Sequence, residues 1–221
     1  MSSIPFPSAA APERRFFPKI ADAGDRFGSL ILLLALAPLL LALGIITWIL
    51  SKRSPWIAHR RVGQHGAVLW VPKIRTMWDA PSRLTNLSQV FAVERIDDEA
   101  GPRLKGPLDA RVTSRFARFC RRHSLDELPQ LLLVLAGRMS LVGPRPVTPA
   151  ELTEIYGADA REIVRGKPGI TGLWQVSGRN LLSAEARRML DLQSVRDRSL
   201  HLYIRVILRT IPEVFWGGNT W

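Results

Sequence analysis

The longest hydrophobic pattern in the chain runs from Leu30 to Leu50, contains no charged residue and consists mainly of Leu, Ile and Ala. As a straight helix this run would measure about 31 Å, which is close to the hydrocarbon thickness of a bilayer. It starts too late, is too long and lacks the small-residue cleavage site of a cleaved signal peptide. The run therefore predicts a membrane helix, and the mixed polarity after Ser51 predicts a globular domain.

Pro38 lies in the middle of this run, where it removes a backbone hydrogen bond and disturbs the preceding turn. Spanning helices tolerate such a proline, so it does not settle the topology. The positive-inside rule expects one basic flank, on the cytoplasmic side. Here both flanks are basic, with Arg14, Arg15, Lys19 and Arg26 before the run and Lys52, Arg53, Arg60 and Arg61 after it. The pattern favours a helix that enters and leaves the same leaflet, with a spanning helix as the alternative.

Shorter patterns predict the elements of the globular domain. Alternation between Ile57 and Val71, with Gly63 and Gly66 at a turn, predicts one or two short strands. Apolar residues recur every three or four positions and predict helices at Leu128–Leu135, Pro149–Tyr156, Ala184–Ser194 and His201–Phe215, and in the arginine-rich segment from Asp109 to Arg122. The predicted fold class is α+β, mostly helical with a minor β component.

Composition and charge narrow the function. With 31 Lys and Arg against 19 Asp and Glu, the formal net charge of +12 predicts an anionic partner: nucleic acid, lipid headgroups or a phosphorylated substrate. The membrane segment and the lack of a nucleic-acid-binding motif argue against nucleic acid. Cys120 is the one cysteine, which excludes an intramolecular disulfide and favours a packed structural role, and the four histidines lack metal-ligand spacing. The acidic cluster within 94–99 is typical of a solvated loop.

Two basic helices have an ambiguous pattern. The arginine-rich face that ends at Arg122 is typical of a solvated helix surface, or of one that lies against lipid phosphates. The last predicted helix places Arg205 and Arg209 among apolar residues, with Trp216 and Trp221 after it. This pattern fits an interfacial helix and a core-packing helix equally well.

Adjacent carboxylates stand before an apolar helix in Ser124-Leu125-Asp126-Glu127-Leu128-Pro129-Gln130. Ser124 and Glu127 have the spacing of a capping box, in which both carboxylates would be structural. In the alternative interpretation, a helix N-terminus attracts phosphate and an ionised Asp attacks phosphorus. Adjacent carboxylates can also hold Mg²⁺ together with substrate phosphates. The residues alone favour neither the helix-capping role nor the catalytic role of the two carboxylates over the other.

Three further places supply cations. Arg145 in Gly143-Pro144-Arg145-Pro146 is restrained by prolines and presents a fork that suits phosphate, or it is a surface arginine on a turn. Lys73 and Arg75 stand two residues apart in an extended segment and would share one face. The segment from Lys167 to Asn180 contains three glycines and two basic residues, which is typical of a loop that approaches a ligand or of a well-ordered loop.

Together these residues resemble the bacterial sugar transferase family, the monotopic polyprenyl-phosphate phosphoglycosyl transferases that start glycoconjugate and exopolysaccharide assembly. The matching segments are Lys73 to Met77, Ser124 to Leu131, Met139 to Pro146 and Pro168 to Asn180, within a resemblance from about Asp25 to Thr210. It implies transfer of a sugar-1-phosphate from a UDP-sugar to polyprenyl (undecaprenyl) phosphate, with release of UMP. It also implies a covalent phospho-sugar intermediate on an aspartate.

The resemblance implies a role for each matching residue. Asp126 would be the nucleophile, and Glu127 would bind Mg²⁺ or handle a proton, with both carboxylates as metal ligands. The implied substrate-binding residues are Lys73, Arg75, Arg145, Lys167, Arg179, Asn180 and Asp191. The implied partners are the UDP-sugar donor, the polyprenyl phosphate acceptor and membrane lipids, with no nucleic acid; a homodimer is also considered.

The resemblance also implies a domain organisation. A basic lead-in covers residues 1–24, a re-entrant helix-break-helix hinged at Ala37-Pro38 covers 25–52, and a catalytic domain with interfacial amphipathic helices covers 53–221. The expected location is the bacterial cytoplasmic membrane, with the catalytic domain on its cytoplasmic face.

Five positions depart from the usual family pattern. Ala37 replaces a serine before the hinge proline, Ala21-Asp22 replaces a Lys-Arg pair, Leu133 replaces an asparagine, and Tyr203 replaces an aspartate of the last helix. They motivate a second hypothesis, a non-catalytic or weakly active membrane adaptor that retains the fold. No motif in the chain indicates which sugar the UDP-sugar donor carries.

Overall fold

A computed structural model describes residues 16–78, 92–97, 114–197 and 199–216. These residues are mostly helical with two small sheets, which agrees with the predicted fold class. Several predictions fall outside the described residues: those for the first 15 positions, for Asp98 and Glu99 in the acidic cluster, for positions 109–113 and for Trp221.

Helix α1 (Phe16–Ser51) contains the whole predicted membrane segment. It remains helical through Ala37 and Pro38, so the predicted break of the helix into two is not seen. A proline removes one hydrogen bond and kinks a helix while the turns on either side remain helical. That the helix bends at Pro38 without breaking, and that this bend forms the hinge, remains a prediction. By length and composition, Ile20–Ser51 is able to cross a membrane.

One side of α1 packs on the globular domain near both ends of the helix. Asp25 and Ser29 are buried near its start, and Thr47 and Ser51 are buried near its end. The apolar side chains between them are largely exposed, with Leu34 at 69%. Such a continuous exposed apolar surface marks a contact with another apolar phase or partner.

Strands β1 (Trp56–Val62) and β2 (Val68–Ile74) form an antiparallel hairpin, as the alternation predicts. Strand β3 (Glu94–Ile96) lies parallel to β1 and completes a sheet of order β2-β1-β3. Glu94 of β3 is bonded to Arg75 at 2.5 Å. This part of the acidic cluster therefore lies in a strand rather than a loop and pairs with a buried cation, while the Glu94 side chain is 54% exposed, which agrees with the predicted solvated surface.

The next elements lead to the predicted dyad. Helix α2 (Arg115–Arg122) is capped by Ser114, whose side chain accepts a bond from the backbone of Ala117. A 3₁₀ turn (Leu125–Gln130) continues directly into α3 (Leu131–Leu135). Gly137 then adopts a φ of 72°, a left-handed conformation suited to glycine, and ends the helix.

The remaining elements surround a short second sheet. Strand β4 (Ser140–Val142) pairs in parallel with β5 (Gly169–Thr171). The helices are α4 (Pro149–Glu151), which continues as a π-helical turn (Leu152–Tyr156), α5 (Ala160–Ile163), α6 (Ala184–Arg196) and α7 (Leu200–Trp216). The helices predicted near 149–156, 184–194 and 201–215 are thus confirmed.

The core positions the dyad from two sides. Leu69 and Val71 of the hairpin pack against Val134 of α3, on one side of the 3₁₀ turn. Leu43 of α1 packs with Cys120 of α2 on another. Cys120 is fully buried, and burial raises the pKa of its thiol to about 12, which agrees with the structural role predicted for it.

Candidate active site

The Asp126-Glu127 pair lies in the 3₁₀ turn directly before α3. Ser124 before it has a φ of 54°, a left-handed conformation that costs about 1–3 kcal/mol and is typical of functional sites. Its side chain makes no capping bond; the amide of Glu127 donates to the carbonyl of Ser124 at 3.1 Å. The capping-box interpretation is therefore wrong, because the Glu127 side chain is engaged elsewhere.

Glu127 is held by cations from two other elements. Nζ of Lys73, near the end of β2, lies 2.6 Å from Oε1 of Glu127, and Nη2 of Arg145 lies 3.5 Å from the same atom. The Lys73 and Glu127 side chains are only 16% and 15% exposed. Little water screens this pair, so its electrostatic attraction exceeds that of a surface pair. The structure thus brings Lys73, Glu127 and Arg145 together.

Asp126 is 8% exposed, and burial raises the pKa of its carboxyl. The charge of Glu127 adds to this rise, whereas the cations Lys73 and Arg121 oppose it. The catalytic interpretation of the sequence requires an ionised Asp126 beside a helix N-terminus, whereas the net effect of its surroundings is a raised pKa. In the structure, the neighbouring cations favour the ionised carboxylate against its burial.

Sequence reasoning missed Arg121 as a site residue, because it belongs to the arginine-rich face of α2. The left-handed turn at Ser124 folds the chain so that the charge of Arg121 acts on Asp126. The only available sign was its position five residues before the dyad, and nothing in the helical spacing distinguished it from its neighbours.

The loop that carries Arg145 is fixed by a tight backbone contact. The amide of Gly143 donates to the carbonyl of Thr171 at 2.9 Å, and the amide of Gly169 donates to that of Pro144 at 2.8 Å. A Cβ atom on Gly143 would lie 2.4 Å from the carbonyl oxygen of Lys167. The charge of Glu127 raises the pKa of Arg145, so the guanidinium remains charged.

Arg179 belongs to the group of charges around Glu127 and Arg145. Its Nε donates to the carbonyl of Gln175 at 3.0 Å and lies 3.6 Å from Oε2 of Glu213 in α7. Burial lowers the pKa of Arg179, and the charges of Glu213 and Glu127 oppose this effect. Asn180 lies with Arg179 in another 3₁₀ turn (Arg179–Leu181), but its side chain is outside the described parts of the chain.

Asp191 is fully buried in α6, so direct contact with a substrate would require movement. It accepts a hydrogen bond of 2.7 Å from the hydroxyl of Tyr156, and Nε of Arg187 lies 3.9 Å away. Burial raises its pKa to about 6, while Tyr156, Arg187 and Arg145 oppose the rise. Sequence reasoning missed Tyr156, which ends the π-helical turn and carried no motif.

Two predicted substrate-binding cations pair away from the dyad. Arg75 donates from Nε to the carbonyl of Ser54 at 2.8 Å and pairs with Glu94. Lys167 lies 2.6 Å from Asp22 of α1. Substrate contacts from Arg75 and Lys167 remain predictions. Asp22, where the family usually has a basic residue, instead holds Lys167.

The residues present fit Mg²⁺ only as a site with few protein ligands. No group of three or more His, Cys, Asp or Glu side chains in the described ranges could hold a metal ion. The chain would offer Asp126 and Glu127, and one oxygen of Glu127 is already bonded to Lys73. Mg²⁺ typically takes one or two carboxylates and completes its shell with water and substrate phosphates.

A family model described as "Bacterial sugar transferase" matches residues 17–217. The chain is 39% identical over 188 residues to the exopolysaccharide production protein ExoY of Sinorhizobium fredii, covering 84% of this chain and 81% of that protein. It is 40% identical over 193 residues to the UDP-galactose-lipid carrier transferase of Erwinia amylovora, covering 86% and 39%. It is also 41% identical over 157 residues to the undecaprenyl-phosphate galactose phosphotransferase of Salmonella typhimurium, covering 71% and 32%.

Proposed function

The chain belongs to the bacterial sugar transferase family, and from this premise we propose that it transfers a sugar-1-phosphate from a UDP-sugar to polyprenyl phosphate and releases UMP. The observation that carries the proposal is the enclosed carboxylate pair Asp126-Glu127, surrounded by the charges of Lys73, Arg121 and Arg145. Such a site matches a reaction in which a carboxylate attacks a phosphate of high negative charge. The names of the relatives from Erwinia amylovora and Salmonella typhimurium support the same reaction class.

The chemistry divides into two displacements at one phosphorus atom. A carboxylate oxygen of Asp126 bonds to the sugar-bearing phosphorus, and the bond from that phosphorus to UMP breaks. A phosphate oxygen of the polyprenyl phosphate then bonds to the same phosphorus, and the acyl-phosphate bond breaks. This step restores the carboxylate of Asp126 and yields the polyprenyl diphosphate sugar.

The surrounding side chains have distinct tasks in this scheme. Lys73 is bonded to Glu127 at 2.6 Å, so it fixes that carboxylate and acts on Asp126 through its charge. Arg145, held by the tight loop at Gly143, offers a planar fork to the donor phosphates. Preorganised cations of this kind lower the barrier because they stabilise the charge of the transition state without moving.

Asp126 and Glu127 would also hold Mg²⁺. The ion would neutralise part of the charge on the diphosphate of the donor. Treatment with EDTA should stop UMP release, and added Mg²⁺ should restore it. Full activity in EDTA would remove the metal from the proposal.

We also propose that α1 is re-entrant. Asp22 and Asp25 near its start contact Lys167 and Ser140, and Leu43 near its end packs with Cys120. Both ends of the helix therefore touch one globular domain. A spanning helix would carry one end across about 30 Å of hydrocarbon and away from that domain.

The topology can be tested with single cysteines in a Cys120→Ala background. Gly24→Cys and Lys52→Cys place exposed thiols near the two ends of α1. Both should react with a membrane-impermeant maleimide from the cytoplasmic side in inverted vesicles, and neither from the outside. Labelling from opposite sides would show that the helix spans the membrane.

Helix α7 has the features of a second, interfacial contact with the membrane. Leu202 and Val206 are buried, whereas Leu200, Ile204, Leu208, Ile211 and Phe215 form an exposed stripe on another side of the helix. Arg205 and Arg209 are also exposed. The buried side supports the core-packing alternative, and the exposed apolar stripe beside two arginines supports the interfacial one.

The reaction is tested by UMP release from purified protein with undecaprenyl phosphate, Mg²⁺ and a panel of UDP-sugars. UDP-galactose is the first donor to test, because two relatives are named for galactose. Release that requires both substrates and is lost in Asp126→Asn supports the proposal. No release with any donor would favour the alternative of a non-catalytic membrane adaptor.

A further inference from the structure

Tyr203, which departs from the family pattern, meets a buried carboxylate of α1. The hydroxyl of Tyr203 donates a hydrogen bond to Oδ1 of Asp25. Oδ2 of Asp25 accepts bonds from Oγ of Ser140 at 2.5 Å and from the amide of Leu141 at 3.2 Å. Asp25 is 2% exposed. Neutral donors from α7 and β4 therefore satisfy a carboxylate that would be costly to bury without hydrogen bonds.

Tyr203 is well suited to act as the donor. Burial, together with the bond to Asp25 and its charge, raises the pKa of the phenol, so the hydroxyl keeps its proton. An aspartate at this position would place a second carboxylate beside Asp25. Two buried carboxyl groups at short range cannot both ionise, so such a pair would need a shared proton or a cation. Tyr203 connects α7 to Asp25 without a shared proton or a cation.

The bonds of Asp25 end on the strand that leads to the site arginine. Ser140 and Leu141 begin β4, and Arg145 follows after only a few residues. The chain between them has little freedom, because the amide of Gly143 is bonded to β5 and its α-carbon has no room for a side chain. A shift of β4 relative to α1 and α7 would therefore move the guanidinium of Arg145.

A second contact of α1 acts on the same loop. Asp22 pairs with Lys167 at 2.6 Å, and the carbonyl of Lys167 lies against Gly143. Asp22 and Asp25 thus hold the β4–β5 pair at two points. The start of α1 is therefore a structural part of the candidate active site.

We infer that Tyr203 is a positioning residue that acts through Asp25 and Ser140 on β4, and so sets Arg145 for the donor phosphates. The inference rests on the proposed function, since that function gives Arg145 its role. It also accounts for the departure at position 203, where a neutral donor takes the place of a carboxylate.

The test measures the affinity of full-length protein in detergent for UDP by calorimetry. Tyr203→Phe keeps the ring and removes the hydroxyl, and we expect it to weaken UDP binding about five- to tenfold, the size of one hydrogen bond. In an Arg145→Ala background the same substitution should change the affinity less than twofold, because a residue that acts through Arg145 has nothing left to position. Tyr203→Asp should lose more affinity than Tyr203→Phe.

Ser29→Ala is the matched control. Ser29 is fully buried in α1, the helix that carries Asp25. Its hydroxyl donates to the carbonyl of Arg26 within α1, so UDP affinity should not change. Ser140→Ala tests the same route if Tyr203→Phe does not fold, and it should show the same dependence on Arg145.

The opposing results are distinct. An unchanged affinity in Tyr203→Phe, or an equal loss with and without Arg145, would overturn the inference and leave the proposed function intact. A wild-type protein that neither binds UDP nor releases UMP would refute the proposed function, and the inference with it.

Discussion

Replacing Lys73 with methionine separates the stabilising role of the Lys73–Glu127 pair from its role in activity. The two side chains are 16% and 15% exposed and lie 2.6 Å apart. Removing one partner of a buried ion pair leaves an uncompensated charge and costs about 3–5 kcal/mol. Arg145 remains 3.5 Å from Glu127 and partly compensates it. We therefore expect a loss near the lower end, about 3 kcal/mol.

This loss converts into a measurable shift in melting temperature. At about 2–4 °C per kcal/mol for a chain of this size, Lys73→Met should lower Tm by about 6–12 °C. The chain contains seven tryptophans, so unfolding can be followed by intrinsic fluorescence in detergent. Adding Glu127→Gln to Lys73→Met removes the stranded charge and should restore most of the Tm. Lys73→Met should also lose UMP release, and the double variant should not regain it, because the cation beside Asp126 is missing from both.

Arg196→Met is the control for this experiment. Arg196 pairs with Glu162 at 2.7 Å, but the two side chains are 57% and 31% exposed, so water screens the pair. Its removal should lower the Tm far less. The reasoning is refuted if Lys73→Met is no more destabilising than Arg196→Met, or if Glu127→Gln fails to restore the Tm of Lys73→Met.

Two further predictions concern the supports of the site. Gly143→Ala should lower both Tm and UDP affinity, because its Cβ would lie 2.4 Å from a backbone oxygen, whereas Gly24→Ala has open space and should do neither. Burial raises the pKa of Asp191 from 3.8 to about 6. Its contribution to stability is therefore fully present below about pH 4 and is lost as pH rises through about 6, by at most about 3 kcal/mol. Asp191→Asn cannot ionise, so its Tm relative to wild type should rise between pH 4 and pH 7; a difference independent of pH would contradict the assignment.

Local patterns predicted most of the fold. The hairpin of β1 and β2 and the helices at α3, α6 and α7 follow from alternation or apolar spacing over a few residues. The helix through Pro38 is the exception, because a proline indicates where a helix bends but not whether it stops. The short strand β3 offered too few residues for a pattern and depends on pairing with β1.

The site was predictable where the chemistry lies in one segment and not where it depends on distant partners. The motifs pointed to Asp126 and Glu127 as the candidate dyad, but the spacing that suggested a cap was overruled by the left-handed turn at Ser124. Arg75 and Lys167 bond to Glu94 and Asp22. Such pairings are set by the tertiary fold, and charge spacing along the chain does not reveal them.

The central claim, a covalent intermediate on Asp126, is tested most directly by intact-protein mass spectrometry without the acceptor. Wild-type protein incubated with Mg²⁺ and the UDP-sugar that it turns over should gain the mass of one phospho-sugar. Proteolysis should locate this mass on the peptide that contains Asp126, and polyprenyl phosphate should remove it. The adduct should be absent in Asp126→Asn. A wild type that turns over without any adduct, or an equal adduct in Asp126→Asn, would contradict the account.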